Sequence, residues 1–242
     1  MKKLQLSINS LLLIMILISV CSGCSSSNKE VTVAKIDTNQ GIIEFVLLNE
    51  TPLHKENFMK MAADSFYNKI LFHRVIKGFV IQTGDQNTRN LSADSTYESS
   101  GAEHVVKAEI LPQYFHVHGA VGAARLGDNE NPERNSSGSH FYFVHGTNQI
   151  TDSLLNVGAK LPAEIAESYK KRGGTPHLDG KYTVFGYVVE GMDVIDKIAE
   201  FETDSSDRPL QNVVINKIEI TEQSASKYKD KEIYKLFNRE NK

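Results

Sequence analysis

Tryptophan is absent from this 242-residue chain, and cysteine occurs only twice, at Cys21 and Cys24. No disulfide framework can therefore staple anything beyond residue 24. Charge of one sign is not in excess: 27 Lys and Arg stand against 30 Asp and Glu, a formal net charge of −3. With no extended basic patch, nucleic-acid binding and charge-driven membrane binding are unsupported. No internal repeat occurs. Long apolar runs are missing too. Leu11 to Val20 is about 10 residues, whereas crossing a bilayer takes about 20. What remains is ordinary globular composition, 40% hydrophobic and 24% charged, with length for one large domain or two small ones.

The amino end reads as an export signal. Lys2 and Lys3 precede the short apolar run, and small residues follow it. "CSGC" followed by "SSSNKE" resembles a bacterial lipoprotein signal, in which the cysteine after small residues receives a lipid. Ser22 and Gly23 make Cys24 the better acceptor, since Cys21 follows the bulky Val20. Cys21 itself stands where that signal usually has an aliphatic residue. Residues 1–23 are the expected signal peptide and 24–30 a flexible tether. The rival is plain signal-peptidase cleavage to a soluble exported protein.

Beyond the tether, β-rich runs at 31–37 and 42–48 flank the turn signal Thr38-Asn39-Gln40-Gly41. A helix follows at "TPLHKENFMKMAADSF", with Thr51 as candidate cap and Pro52 in its first turn. Two short strands broken at Lys77-Gly78, a polar loop over 86–103, and strands at "GAVGAAR", "SHFYFVHG" and "YTVFGYVVEG" continue the chain. Between the last two strands, roughly 148–176, lies an insertion. Its helix starts near Pro162, stops at Gly173-Gly174, and is expected on the surface. "MDVIDKIAEF" is a further helix, "NVVINKIEI" a closing strand, and 222–242 a charged tail. Many short strands with few helices point to a closed or sandwiched β structure.

"FHRVIKGFVIQTGD" (72–85) is too polar for plain core and offers no serine or cysteine nucleophile. Taken in order with "GAVGAAR", "NSSGSHFYFV" and "HLDGKYTVFGYVVEGMDVI", it resembles the cyclophilin-type peptidyl-prolyl cis-trans isomerases over roughly residues 31–221. The resemblance implies a mainly β fold, a closed eight-stranded antiparallel barrel capped by two helices. It also implies catalysis of X–Pro rotation without covalent intermediate, cofactor or metal. By the same resemblance Arg74, Phe79 and Gln82 are the catalytic residues. Arg74 donates to the prolyl nitrogen, Phe79 floors the proline pocket, and Gln82 holds the substrate backbone.

Val80, Ala124, Arg125, His140, Tyr142, His177, Leu178 and Tyr182 fall on substrate-binding positions of the family. Several depart from its usual residues. Val80 replaces methionine, Arg125 asparagine, His140 glutamine and Tyr142 phenylalanine; His177 replaces tryptophan or phenylalanine, and Tyr182 histidine. Arg125 would set a new cation beside the substrate, and Tyr142 a hydroxyl at the pocket rim. Expected partners are proline-containing segments of envelope proteins, met at a lipid-anchored position in a bacterial envelope. These departures also support a different class of function, a cyclophilin-fold peptide-binding module or holdase with little turnover. A metal hydrolase built on the "HVH" pair, His116 and His118, is the third reading. It lacks a third ligand at suitable spacing.

Overall fold

Branched side chains at period two favour an extended backbone, and Glu30–Thr38 (EVTVAKIDT) forms the first strand, β1. It pairs antiparallel with β2 (Gly41–Leu47) across a turn in which the Thr38 hydroxyl accepts from the Gln40 and Gly41 amides. On its other side it pairs with the last strand, β10 (Ile215–Ser224). The structure is a computed structural model describing residues 29–92, 95, 104–155 and 161–238. The expected signal peptide, Cys24 and most of the tether lie outside the described residues.

The remaining strands are β3 (Arg74–Val75), β4 (Val80–Thr83), β5 (Val105–Val106), β6 (Ala120–Ala123), β7 (Ser136–Ser137), β8 (Phe141–Val144) and β9 (Val184–Glu190). Eight of the ten form one sheet, in the order β10-β1-β2-β9-β6-β8-β4-β3, antiparallel at every pairing, while β5 and β7 pair separately. At the ends of that order, the Phe72 amide donates to the Val213 carbonyl at 2.9 Å and the Ile215 amide to the Ile70 carbonyl at 2.9 Å.

Alternation along the strands sorts two cores. Phe141 and Phe143 turn to one side, where Phe45, Phe58 and Phe185 pack with them, Phe58 meeting Phe141 edge-on at 5.3 Å. Tyr142 and Val144 turn to the other, joining Val80, Leu178 and Tyr187.

The helix α1 (Pro52–Ala63) sends Phe58 into the first core. Thr51 precedes it but does not cap it with its side chain; its hydroxyl donates to the Leu48 carbonyl instead. Glu109 does the capping from a distant loop, accepting from the Leu53 and His54 amides at 3.1 and 3.0 Å. A carboxylate there satisfies orphan amides and suits the helix dipole. The same carboxylate lies 2.7 Å from His54 Nδ1, and His54 Nε2 lies 2.9 Å from the Ser136 hydroxyl. This has the connectivity of a Ser-His-Glu relay, but Ser136 is 1% exposed and His54 4%. No substrate reaches it, and it works as a clamp joining α1 to β7.

Among the described residues of the insertion are two helical elements, α2 (Asp152–Leu155) and α3 (Ala163–Arg172). The expected surface helix α3 is half buried, because Ile165 and Tyr169 point into the second core while Lys170 and Lys171 face solvent. It ends at Gly173, φ +82°, as the paired glycines predict. The next helix, α4 (Met192–Ala199), buries Val194, Ile195 and Ile198. The strand β10 runs three residues into the charged tail, and the last helix, α5 (Glu232–Phe237), buries Ile233 and Tyr234. Tyr228 is fully buried between them.

Candidate active site

Register on the sheet brings the polar members of 72–85 together. Arg74 on β3 lies opposite Gln82 on β4, and Gln82 opposite Tyr142 on β8. The Arg74 side chain is 39% exposed; its Nε stands 3.4 Å from an Asp207 carboxylate oxygen and its Cζ 6.0 Å from the centre of the Phe79 ring. Phe79 in turn stacks on His177, centroids 5.5 Å apart and planes 21° from parallel. It is presented by the turn between β3 and β4. The Phe79 carbonyl accepts from the amides of His145 and Gly146, and His145 Nδ1 accepts from the Gly78 amide.

Gln82 turns its amide nitrogen to His73 Nε2 at 3.3 Å. His73 is 5% exposed, and burial, helped by neighbouring His140, pulls its pKa down to about 4. At neutral pH the ring is uncharged and accepts this hydrogen bond. His140 packs against His73, ring centres 5.5 Å apart, and is itself held below its ordinary value by burial, with Asp85 opposing that shift. Its Nε2 faces the buried Asp85 carboxylate at 4.0 Å.

Tyr142 is the buried centre of the group, 4% exposed. A Cβ on Gly122 would collide with its phenol, so the glycine makes room for the ring. Its hydroxyl bonds inward to His116 Nε2 at 3.1 Å; it is not offered at the rim, which corrects the expectation from sequence. Burial pushes this phenol well above its ordinary pKa, keeping it a neutral donor. Tyr182 stands edge-on to Tyr142 at 6.3 Å, and Leu178 (8% exposed) and Val80 (2% exposed) complete the apolar lining.

One expectation about the neighbouring segment fails. The Arg125 guanidinium is not a cation awaiting substrate: its side chain is 3% exposed, paired with Asp128 at 2.7 Å and laid over the Tyr182 ring at 4.4 Å. The Ala124 amide donates to the His140 carbonyl, and its carbonyl accepts from the Ser137 amide while keeping a second lone pair. The "HVH" histidines also part company. His116 enters the Tyr142 network, whereas His118 donates to the His145 carbonyl and approaches Asp196 at 3.5 Å. Among the described residues no cluster of three or more His, Cys, Asp or Glu could hold a metal. His73, Asp179 and Asp207 join the site with no sequence expectation behind them. The "LDGK" turn was a signal for Asp179; nothing local marks Asp207.

The profile of the family described as "Cyclophilin type peptidyl-prolyl cis-trans isomerase/CLD" matches residues 33–220. The chain belongs to the cyclophilin-type peptidyl-prolyl cis-trans isomerases. A Staphylococcus saprophyticus protein named for that activity is 35% identical over 188 residues, 76% of this chain and 89% of the relative. A Staphylococcus aureus protein of the same name is 34% identical, covering 81% and 96%. A crystal structure of a Cryptosporidium parvum cyclophilin superposes with a TM-score of 0.56 at 24% identity, over 80% of this chain and 98% of that one. This cyclophilin is thus an enzyme that speeds rotation about X–Pro bonds.

Proposed function

We propose that this isomerase works by a cation held over a proline pocket, with Arg74, Phe79 and Gln82 as its catalytic residues. The observation that carries the reading is the Arg74 guanidinium standing over the Phe79 ring, with Gln82 directly across the strand pair. The barrier to rotation is the partial double bond of the amide, about 18–20 kcal/mol. A donor aimed at the prolyl nitrogen favours its lone pair in the twisted state, where conjugation is lost, and so helps only there. No bond to the enzyme forms, so neither nucleophile, metal nor cofactor is called for. Phe79, Val80, Leu178 and Tyr142 bury the pyrrolidine ring, and Gln82, steadied by His73, holds the flanking backbone. His177 and Tyr182 border this slot.

The hydrogen bonds between residues 70–72 and 213–215 support reading the sheet as a closed barrel, with α1 and α4 at its two ends. The same proposal places the enzyme in a bacterial envelope, lipid-anchored through Cys24, acting on proline-containing segments of exported proteins. The support is the signal-like run 1–23 and the C. parvum cyclophilin structure determined in the presence of the dipeptide Ala-Pro. No helix among the described residues is long and apolar enough to cross a membrane.

A protease-coupled assay on an X–Pro tetrapeptide tests the site. Arg74→Ala should lose about a hundredfold or more in kcat/KM; wild-type rates would reject the assignment, and peptide binding without turnover would favour a holdase. Cys24→Ser should move the protein from membrane to soluble fraction. Unchanged fractionation would remove the anchor.

A further inference from the structure

We propose that Tyr169, Asp179 and His116 are positioning residues of the isomerase site, through which the inserted helix α3 sets the aromatic wall of the proline pocket. The inference rests on Tyr142 being that wall, as proposed above. A continuous chain of hydrogen bonds carries it. The Tyr169 hydroxyl donates to Asp179 Oδ2 at 2.7 Å. Asp179 Oδ1 accepts from the His116 backbone amide at 2.8 Å and lies 2.9 Å from His116 Nδ1. His116 Nε2 meets the Tyr142 hydroxyl at 3.1 Å.

Each link fixes the next. A carboxylate only accepts, so Nδ1 of His116 carries a proton, and in the neutral ring Nε2 is left as acceptor. The Tyr142 hydroxyl must then donate, and its ring, which also stacks on His116 with planes 20° apart, is held at one tilt. Every member is shielded from water. Tyr169 is 0% exposed and His116 1%, and the Asp179 side chain is 14% exposed. In such surroundings a satisfied network specifies one geometry, because each broken link leaves a costly unpaired group.

The insertion is built to deliver this hydroxyl. After α3 the chain pairs with the segment carrying His116, the Thr175 amide donating to the His116 carbonyl and the His118 amide to that of Gly173. A Cβ on Gly174 would run into the Tyr169 ring. Asp179 directly follows Leu178, so the carboxylate that orients Tyr142 also anchors the turn supplying a second pocket residue. On its outer side α3 is tied to α5 by Lys171 and Glu232 at 2.6 Å. Insertion and tail therefore brace the wall from behind.

The test uses the full chain and an X–Pro tetrapeptide at concentrations spanning KM. Tyr169→Phe removes one oxygen and little volume. It should raise KM about tenfold with kcat held, because a displaced wall weakens ground and transition states alike. In a Tyr142→Phe background the same substitution should add nothing, the hydroxyl it acts through being gone. A merely structural role would instead lower the folded fraction, and with it apparent kcat, at constant KM. A wild-type KM in Tyr169→Phe, or additive effects in the two backgrounds, overturns the relay even while Arg74→Ala is inactive. If Arg74→Ala turns over normally, the site assignment fails instead. The relay then stands or falls on NMR of Tyr169→Phe, where unchanged Tyr142 ring resonances would overturn it.

Discussion

The guanidinium of Arg125 spends its donors on its own chain: the Lys181 carbonyl at 2.9 Å, the Leu126 carbonyl at 2.8 Å and Asp128 at 2.7 Å. It braces Tyr182, and its charge is neutralised before any substrate arrives. Arg125→Ala should therefore cost about 1–2 kcal/mol of stability, through the lost contact with the Tyr182 ring and its buried packing. It should leave the ratio of kcat/KM for Glu-Pro and Lys-Pro peptides unchanged. A panel of X–Pro peptides checks this, and a shifted ratio would return Arg125 to the substrate groove. Arg74 behaves oppositely. It is tethered by Asp207 at one nitrogen only, and the carboxylate that holds it belongs to a residue in the left-handed region, φ +63°. Arg74→Lys keeps the charge and loses the rigid fork, so kcat/KM should fall by about a hundredfold, against little change in melting temperature. Residue identity was readable at both positions. Side-chain direction was not, because Asp128 and Asp207 reach their arginines through loop conformations that no periodicity encodes.

At the scale of elements, most strands and the helices at 52–63, 163–172 and 192–199 were legible, since period two and period 3.6 are local properties of the chain. The missing pieces are held by distant partners. The pairing of β5 with β7 joins residues 105–106 to 136–137. The cap of α1 comes from Glu109, more than fifty residues on, where the local pattern offered Thr51. That cap gives a prediction of its own. Glu109→Ala strips two helix amides of their acceptor and leaves His54 Nδ1 unpaired in a buried place. It should cost about 2–3 kcal/mol, seen as a lower urea midpoint at constant m. Thr51→Ala should cost clearly less, its hydroxyl having only a 3.3 Å bond to the Leu48 carbonyl. Equal costs would reassign the cap. The insertion shows the same limit. Its helix and stop signal were plain in the sequence, yet nothing short of the fold tells that Tyr169 turns inward to Asp179.

At the scale of the whole molecule, histidines placed inside the protein set its response to acid. His54, His73 and His140 are all held below their ordinary value, each chiefly by burial, in the clamp on α1 and behind Gln82. His118, between His145 and Asp196, is lowered as well, burial again leading. A group whose folded pKa is depressed adds stability that is fully present above its unfolded pKa, about 6.5. That stability is lost as pH falls toward the folded value, which for His73 is about 4. Over this window the unfolded chain binds protons that the native protein refuses, so acid favours unfolding. His73 alone accounts for about 3 kcal/mol at one pH unit per 1.4 kcal/mol. Urea unfolding at pH 7.5, 6.5, 5.5 and 4.5 should show a plateau above pH 6.5 and a steep fall below it. The slope should exceed the uptake of one proton, because several histidines act together. His73→Gln, which keeps a side chain able to hydrogen-bond Gln82, should flatten that slope by close to one proton while leaving the plateau's onset in place. A stability profile level from pH 7.5 to 5.5 would mean these rings titrate in the folded protein as they do in the unfolded chain. Gln82 would then face a ring that turns cationic near pH 6.5, and the acceptor proposed for it would be lost in mild acid.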